Sequence, residues 1–412
     1  MPTYRSQTTT VARSDRGFDI PIVGAGSAGS MLAERLATRS GKRMLLVDQR
    51  PHIGGNAYDR YGRYDRYDRY DDAGIFIQQY GPLIFQTNSS DVFDDLSQFT
   101  AWRSYQHRVL ASVDGQLLPM PINPDTVNSL YGLSMTSRGI LRLCGREGRY
   151  GAHLGRPGGR QGRARSLQQV LSWLHPQAVG AQSVRAGRKR DGARVDPVQP
   201  RRPLFHRHLP GDAAARLHAH VETMLKLPNI HVVLNTDYRD VVHLVPWKHV
   251  VYTGPVGAFF DCRYRRLPYR SLVFKHVTLL QSQAQPLGTP NHPNDHAYTR
   301  ASEFKHLTGQ QHPSTSLVYE YPQAQGDPYY PVPRLENAAL YKLYEAEAEQ
   351  LSDVTFLGGL ANDRYCNMDQ VVGQTLVAHK RMAAVGATGG LPLQSVGRSR
   401  VKIMRRLFPI SR

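Results

Sequence analysis

The first 50 residues combine two short apolar runs with a helical pattern between them. Ile20–Val23 and Met44–Val47 are continuously apolar, as is typical of strands buried on both faces of a sheet. The intervening Ser30–Thr38 places apolar residues at helical spacing, so strand, helix and strand follow one another within about 30 residues. This order predicts a βαβ unit. Pro21 is an irregularity, because proline removes a hydrogen-bond donor from a strand.

Strand and helix patterns continue on both sides of an atypical middle segment. The turn residues of 113–116 predict a hairpin, and after residue 221 strands again alternate with helices. The predicted strands are Ile230–Leu234, Val250–Tyr252, Thr315–Tyr321 and Val354–Leu357, and the predicted helices are Asn337–Gln350 and Met368–Ala384. The alternation predicts an α/β fold with a Rossmann-type domain.

A glycine motif joins the first strand to the first helix. Gly24 is expected to make the tight turn, Gly26 to let the backbone approach a pyrophosphate, and Gly29 to let the helix pack closely on the strand. The N-terminus of the following helix offers free N–H groups to phosphate, and Ser27 within the motif is a further predicted cofactor contact. Asp48 follows about 20 residues later, where a carboxylate can bind ribose hydroxyls. The motif predicts a dinucleotide site; the alternative is the Gly-rich turn of an ordinary α/β domain.

A second glycine pair distinguishes between dinucleotides. Gly54 and Gly55 lie just beyond Asp48, a position at which the backbone passes close to the cofactor in FAD-binding rather than NAD-binding Rossmann domains. Gln49 and Asn56 flank the pair and join the predicted cofactor contacts. The predicted cofactor is therefore FAD.

The net charge of +19 raises the alternative of a nucleic-acid-binding protein. Most of this charge lies in residues 138–207, which contain fifteen Arg and one Lys against three acidic residues. The segment lacks the interleaved aromatic residues of a nucleic-acid groove. A Tyr-Asp-Arg repeat in residues 58–70 allows two interpretations, a nucleic-acid arm or an expanded surface loop, and the loop is favoured. We expect no nucleic-acid partner.

Targeting and metal signals are weak in this sequence. No run of 18 apolar residues occurs, so no membrane span is predicted. Residues 1–17 lack an apolar core and are interpreted as a disordered terminus rather than a signal peptide. The cysteines are Cys144, Cys262 and Cys366; their spacing predicts no metal site and favours a reducing compartment.

A series of motifs in residues 19–134 and 224–382 resembles the flavin-dependent UDP-galactopyranose mutases. The motifs occur in the order found in that family, which is more specific than the glycine motif alone. They are Val23–Gly26, His52–Asn56, Tyr80–Phe85, Tyr252–Pro255, Leu267–Leu272, Tyr298–Arg300, Tyr329–Pro333 and Arg364–Asp369.

The resemblance implies an isomerase that interconverts UDP-galactopyranose and UDP-galactofuranose for the synthesis of galactofuranose glycans of the cell wall. In that family reduced FAD is a nucleophile: flavin N5 attacks the anomeric carbon, UDP leaves, the adduct opens and recloses as a furanose, and UDP returns. Covalent catalysis divides one difficult ring contraction into easier steps. Reduced FAD is thus the implied cofactor and UDP-galactose the implied substrate.

The resemblance also implies roles for individual residues. The predicted catalytic residues, which grip the substrate pyrophosphate in the family, are Arg300, Tyr330 and Tyr365. The matched substrate-side positions are Arg270, Asn291 and Asn367. Further cofactor contacts, at the start of a helix whose N-terminus favours a reduced, anionic flavin, are Arg364, Met368 and Asp369.

Some positions depart from the family pattern. Leu83 and Gln86 replace histidines near the flavin, and Gly359 replaces an arginine. Residues 137–221 also lack the family's helical substrate domain, with its uracil-stacking aromatic and second phosphate-binding arginine. Asp212–Ala219, back-translated and read one frame over, gives Met-Pro-Leu-His-Gly-Tyr-Thr, which is typical of the family. We therefore hypothesise a compensated frameshift across 137–221, in the gene or its sequencing; resequencing tests it.

The resemblance implies a Rossmann-type FAD domain built from separate segments, a mixed-sheet substrate domain and a helical insertion. The expected boundaries are 1–17 for the terminus, 18–100, 224–260 and 346–390 for the FAD domain, 101–223 for the helical insertion, 261–345 for the mixed sheet and 391–412 for a basic tail. A cytoplasmic protein and a homodimer are further expectations. The alternatives are a flavin oxidoreductase of the amine-oxidase type and an inactive FAD-binding relative.

Overall fold

The computed structural model describes residues 17–61, 74–105, 107–113, 115–120, 124–132, 134, 136, 204–207, 219–244, 247–293 and 295–388. Several sequence interpretations fall outside these residues. They concern the terminus before residue 17, the tyrosine-rich repeat after residue 61, the basic tail at 391–412, and most of the segment at 137–221 to which the frameshift hypothesis applies.

The described elements alternate between strands and helices. In chain order the strands are β1 Ile20–Val23, β2 Met44–Val47, β3 Asp59–Tyr61, β4 Phe76–Gln78, β5 Trp102–Tyr105, β6 Val109–Val113, β7 Gln116–Met120, β8 Leu204–Arg207, β9 Ile230–Val233, β10 Val250–Tyr252, β11 Tyr269–Leu279, β12 Pro290–Asn291, β13 Arg300–Glu303, β14 Thr315–Gln323, β15 Tyr330–Pro331 and β16 Val354–Phe356. The helices are α1 Ser27–Ser40, α2 Ser90–Ser97, α3 Pro124–Tyr131, α4 Ala219–Met224, α5 Tyr238–Val241, α6 Val256–Phe259, α7 Phe304–Thr308, α8 Leu335–Ala348 and α9 Met368–Thr388.

A parallel sheet with the order β16-β10-β1-β2-β9 confirms the predicted α/β, Rossmann-type architecture. Its strands come from three separate parts of the chain because each parallel pair needs a long crossover. Helix α1 packs on the sheet with Leu32, Ala33 and Leu36 fully buried, and these residues join the core formed by Ile22 and Leu46. Burial on both faces explains why these strands are continuously apolar.

Pro21 is accommodated within β1 although β1 is a central strand. Its Cα pairs in register with Leu45 of β2, whereas pairing with β10 begins only at Ile22. At Pro21, where the backbone N–H is missing, only β2 is in register with β1, and β10 is not.

A second, mixed sheet has the order β15-β11-β14-β13-β12-β6-β7. Its longest strands, β11 and β14, are antiparallel from Ser271 with Gln323 to Leu279 with Thr315. Strands β5, β6 and β7 lie where a helical insertion was expected, and the β6–β7 hairpin extends this sheet. The hairpin turns at Gly115, whose φ of +76° is readily adopted by glycine.

Helix α9 has 21 residues and packs against α1. It carries charged residues such as Asp369 and Lys380 along its length. Within the part of the chain that the structure describes, no helix combines the length and apolarity needed to cross a membrane.

Candidate functional site

The turn between β1 and α1, which we call the glycine turn (24–29), has no room for side chains at two positions. Gly24 has a φ of +104°, and a Cβ there would lie 2.0 Å from Thr253 Oγ1. A Cβ on Gly29 would lie 2.0 Å from the carbonyl oxygen of Gly24. Both distances are far below van der Waals contact, so the close packing of strand, turn and helix requires glycine at both sites.

The N-terminus of α1 is open to an anion. Gly26 is its N-cap and supplies no side-chain cap, and the first turn has no acidic residue. Gly26 forms an isolated parallel bridge with Gly54, and a Cβ on Gly55 would lie 3.1 Å from Gly26 Cα. The first-turn N–H groups beginning at Ser27 therefore border a surface made of backbone. This arrangement fits a pyrophosphate.

Asp48 holds the glycine turn to the loop after β2. Its Oδ2 accepts a hydrogen bond from Ala25 N at 2.8 Å, and its Oδ1 accepts one from Arg50 N at 2.9 Å. A carboxylate has about four lone-pair sites, so capacity remains for ribose hydroxyls. The neighbouring Gln49 is exposed, and the exposed Asn56 accepts from Arg50 Nη1 at 2.9 Å. The predicted cofactor residues therefore surround one end of the parallel sheet.

The segment after β16, here the late loop (358–367), reaches the same helix terminus. A Cβ on Gly358 would lie 3.6 Å from Ala28 Cβ, in ordinary contact with the first turn of α1. At Gly359 a Cβ would lie 2.7 Å from the Arg364 carbonyl oxygen, so the loop leaves no room for the arginine typical of the family. Arg364 itself is exposed. The conformation of the late loop therefore excludes an arginine side chain at residue 359.

Helix α9 begins directly after the late loop. Met368 packs against the apolar cluster that contains Met31 and Phe85, which joins α9 to α1 and to the loop after β4. Asp369 lies in the first turn and accepts from Gln370 N at 2.8 Å. Asn367 is exposed, and its backbone N–H donates to Gln370 Oε1 at 2.9 Å. The Asn367 side chain is therefore presented at the helix terminus.

The mixed sheet carries three polar residues in one row across β12, β13 and β14. Asn291 is in register with Arg300, and Arg300 is in register with Glu320, so the three side chains share one face. Arg300 Nε donates to Asn291 Oδ1 at 3.3 Å, and Arg300 Nη1 lies 3.6 Å from Glu320 Oε1. The Arg300 side chain is 38% exposed, whereas that of Glu320 is 6% exposed. The guanidinium is accessible and its acidic partner lies beneath it.

Two tyrosines stand near this row. Tyr330 of β15 is in register with Arg270 of β11, and its ring centroid lies 5.5 Å from that of Tyr365 in the late loop. Burial raises the pKa of Tyr330 to about 12, although Arg300 acts in the opposite direction. Tyr330 therefore keeps its proton at neutral pH and can donate it to phosphate oxygen. The Tyr330–Tyr365 contact joins the mixed sheet to the segment that also reaches α1.

His107 and Glu320 were not predicted from the sequence. Burial and the neighbouring Arg300 lower the pKa of His107 to about 4, and its Nδ1 is buried without a hydrogen bond among the described residues. The imidazole is thus neutral in the physiological range. A glutamate among the buried positions of β14 was a signal for Glu320, whereas no local pattern indicated His107.

A cluster of rings and charges connects the loops after β2 and β4 to the mixed sheet. His52 Nε2 lies 2.6 Å from the Tyr80 hydroxyl, and the Arg50 guanidinium lies 4.7 Å from the centroid of the Tyr80 ring. Tyr80 in turn lies 6.3 Å from Tyr329, next to Tyr330. Of the positions that depart from the family pattern in this region, Leu83 is held through its backbone N–H by Gln78 Oε1 at 2.6 Å, while the side chain of Gln86 is exposed.

Asp363 lies within the late loop in a strained, partly buried position. Its φ is +46°, and burial raises its pKa from the ordinary value of 3.8 to about 6, with Tyr269 acting in the opposite direction. Asp363 Oδ1 and the Tyr269 hydroxyl both lack a well-aligned hydrogen bond among the described residues. The charged form of Asp363 is therefore poorly stabilised beside Arg364 and Tyr365.

We expect Asp363→Asn to stabilise the protein at pH 7.5 but not at pH 4. Because the pKa is higher in the folded state, the native protein binds the proton more tightly between about pH 4 and 6, and stability falls as pH rises through that window. Asparagine is uncharged and tolerates positive φ. The expected gain is about 1 kcal/mol after solvent screening, measured by thermal unfolding across pH. The exposed Asp240→Asn is the control; equal pH profiles for both variants would contradict this account.

Comparison with known proteins agrees with this geometry. A family model described as UDP-galactopyranose mutase matches residues 213–365, and one described as an NAD(P)-binding Rossmann-like domain matches residues 22–99. A probable UDP-galactopyranose mutase of Klebsiella pneumoniae is 27% identical over 392 residues, which cover 92% of this chain and 98% of that protein. A dTDP-fucopyranose mutase of Escherichia coli is 26% identical over 378 residues, covering 86% and 96%.

The fold is likewise similar to a solved structure of the same kind. The crystal structure of a reduced UDP-galactopyranose mutase superposes with a TM-score of 0.60 at 14% identity, covering 89% of this chain and 96% of that one. The similarity extends over both the Rossmann-like domain and the mixed sheet and concerns the fold. The chain is therefore similar to the UDP-galactopyranose mutase family over residues 213–365 and to Rossmann-like dinucleotide-binding domains over residues 22–99, and its fold resembles that of a solved mutase.

Proposed function

We propose that this protein interconverts UDP-galactopyranose and UDP-galactofuranose and uses reduced FAD to do so. The observation that carries the proposal is the cluster of Arg300, Tyr330 and Tyr365 at the junction of the mixed sheet and the late loop. A guanidinium and two phenol groups are donors suited to a pyrophosphate. The late loop also contacts α1, so this cluster is connected to the cofactor end of the parallel sheet.

The cofactor-binding role is assigned to the glycine turn and the loops beside it. Gly24, Gly26 and Gly29 provide a backbone surface for the FAD pyrophosphate, Ser27 begins the helix that supplies N–H groups, and Asp48 has capacity for ribose. The further proposed contacts are Gln49, Gly54, Gly55, Asn56, Arg364, Met368 and Asp369. When bound, reduced flavin supplies the nucleophile for the anomeric carbon of the sugar.

The substrate-binding role is assigned to the face of the mixed sheet. Arg300 neutralises the pyrophosphate, and Tyr330 and Tyr365 donate hydrogen bonds to its oxygens while UDP departs and returns. Electrostatic stabilisation of the departing UDP needs donors held in place rather than a general base. Arg270 and Asn291 line the same face, and Asn367 is the polar group offered to the sugar at the α9 terminus.

The experiment begins with an absorbance spectrum of the purified protein, followed by incubation with UDP-galactofuranose under dithionite and chromatography of the products. We expect bound flavin and formation of UDP-galactopyranose only in the reduced sample. Flavin without conversion would overturn the mutase assignment, and oxygen consumption with an amine substrate would support the oxidoreductase alternative. A parallel sample with the dTDP-fucose pair tests the sugar nucleotide, because one relative is named for that substrate.

A further inference from the structure

Glu320 is a buried carboxylate in the middle of the mixed sheet. It is 5% exposed and lies on β14 between β11 and β13, in register with Phe274 and Arg300. Val318 and Ser302, which share this face, are completely buried. A carboxylate in such surroundings is destabilising unless a cation or hydrogen-bond donors compensate it.

Arg300 provides that compensation. Its Nη1 lies 3.6 Å from Glu320 Oε1, and among the described residues Oε1 has no hydrogen bond. The Coulombic effect of Glu320 is the main cause that raises the pKa of Arg300. The contact is thus an ion pair in which one member is buried and the other reaches the surface.

The guanidinium of Arg300 is held from two sides. Asn291 Oδ1 accepts from Nε at 3.3 Å, and Glu320 attracts Nη1. No protein acceptor for Nη2 occurs among the residues that the structure describes. Because a guanidinium is planar, fixing two of its nitrogens fixes the direction of the third.

The loop after β4 also contacts Glu320. Gly81 has a φ of +76°, and a Cβ there would lie 2.8 Å from Phe274 Cε1 and 3.2 Å from Glu320 Oε1. The backbone of the loop after β4 therefore packs directly over Phe274 and Glu320. A side chain at residue 81 would therefore collide with Phe274 and crowd the Glu320 carboxylate.

We propose that Glu320 is a positioning residue for Arg300: together with Asn291 it fixes the guanidinium so that the remaining Nη2 edge is presented to the substrate pyrophosphate. The inference rests on the proposed function, since it requires a pyrophosphate at Arg300. Arginine loses considerable side-chain freedom when it binds a ligand, and an arginine that is already fixed loses less. Glu320 thereby increases affinity although its own charge repels phosphate.

These two effects of Glu320 have opposite signs, which makes Glu320→Gln informative. If the residue acts only through its charge, removing the charge strengthens binding of UDP to the FAD-loaded protein. If it positions Arg300, binding weakens by about tenfold, the scale of a lost charge-assisted contact. Titration with UDP, followed by flavin absorbance, distinguishes the two outcomes, and tighter binding would overturn the proposal.

The dependence on Arg300 is tested by a double-mutant cycle. In an Arg300→Ala background, Glu320→Gln should no longer weaken UDP binding but strengthen it, because nothing remains to be positioned and the repelling carboxylate is gone. A tenfold loss in that background as well would show that Glu320 acts on UDP by another route. Asn291→Ala removes the support on the other side of the guanidinium. Like Glu320→Gln, it should weaken UDP binding when Arg300 is present but not in the Arg300→Ala background, and it provides the test if Glu320→Gln does not fold.

Glu303→Gln is the matched control for damage to the sheet. Glu303 is also buried, on β13, but its partners are Thr315, the backbone N–H groups of Ala284 and Gln285, and His306. We expect its substitution to lower stability without changing UDP affinity. An equal loss of affinity in this variant would overturn the positioning role of Glu320. Failure of the wild-type protein to bind UDP would instead count against the proposed function.

Discussion

Replacing Arg300 by alanine is expected to weaken UDP binding and to lower kcat/KM by roughly a hundredfold or more. Bound UDP would cover the guanidinium, and truncating one member of such a desolvated charge pair costs about 2–5 kcal/mol, where each 1.4 kcal/mol is about tenfold. The loss has two parts. The pyrophosphate loses a cationic donor, and Glu320 remains buried as an unpaired negative charge beside the proposed phosphate site.

The contribution of the unpaired Glu320 carboxylate to this loss can be removed separately. Arg300→Ala with Glu320→Ala should bind UDP more tightly than Arg300→Ala alone, because the repulsive carboxylate is gone. Arg300→Lys should lie between wild type and Arg300→Ala, since one ammonium cannot reach Asn291, Glu320 and phosphate with a planar fork. The measurements are UDP titration and initial rates with UDP-galactofuranose under dithionite. An Arg300→Ala enzyme with unchanged UDP affinity would place the pyrophosphate elsewhere.

Local patterns were sufficient to predict the parallel sheet. The predicted strands Met44–Val47 and Val250–Tyr252 have the observed bounds, because a strand buried on both faces is a short, uninterrupted apolar run. The first helix was predicted to begin at Ser30 but begins at Ser27. The difference arises because small residues precede its apolar face and give no periodic signal.

The site was only partly predictable from the sequence. Gly24 and Gly29 could be identified because their chemical requirement is local: a turn and a helix that leave no space for Cβ. The partnership of Arg300 with Glu320 depends on the register of β13 against β14, which is a tertiary property. His107 approaches Arg300 from a different part of the chain and could not be inferred from spacing.

Part of the substrate site implied by the family resemblance falls in the segment at residues 137–221. The family resemblance implies a uracil-stacking aromatic and a second phosphate-binding arginine between residues 137 and 221, a region that lies almost wholly outside the described residues. The contacts argued above come from the mixed sheet and the late loop instead. They concern the pyrophosphate, so UDP affinity is the appropriate first readout for every variant proposed.

The largest expected effect on stability comes from Arg35, which lies in α1 at the centre of a buried ion cluster. Its Nη2 lies 2.5 Å from Asp95 Oδ1 of α2, its Nη1 contacts Glu34, and its side chain is 3% exposed. The guanidinium also lies 5.3 Å from the centroid of the Phe99 ring. The cluster therefore links α1 to α2.

Arg35→Met is expected to destabilise the protein by about 3–5 kcal/mol. Methionine fills a similar volume, but Glu34 and Asp95 are then left as two buried like charges without a cation. Urea unfolding, followed by the fluorescence of released flavin, measures the loss.

Two further variants separate charge burial from packing in this cluster. Arg334→Met removes an ion pair with Glu336 in which both side chains are more than half exposed, and it should cost less than about 1 kcal/mol. The combined Glu34→Gln, Arg35→Met and Asp95→Asn variant should recover most of the stability lost in Arg35→Met, because no uncompensated charge remains buried. If the triple variant is as unstable as Arg35→Met, the loss reflects the packing of the arginine stem on Phe99 rather than the charges.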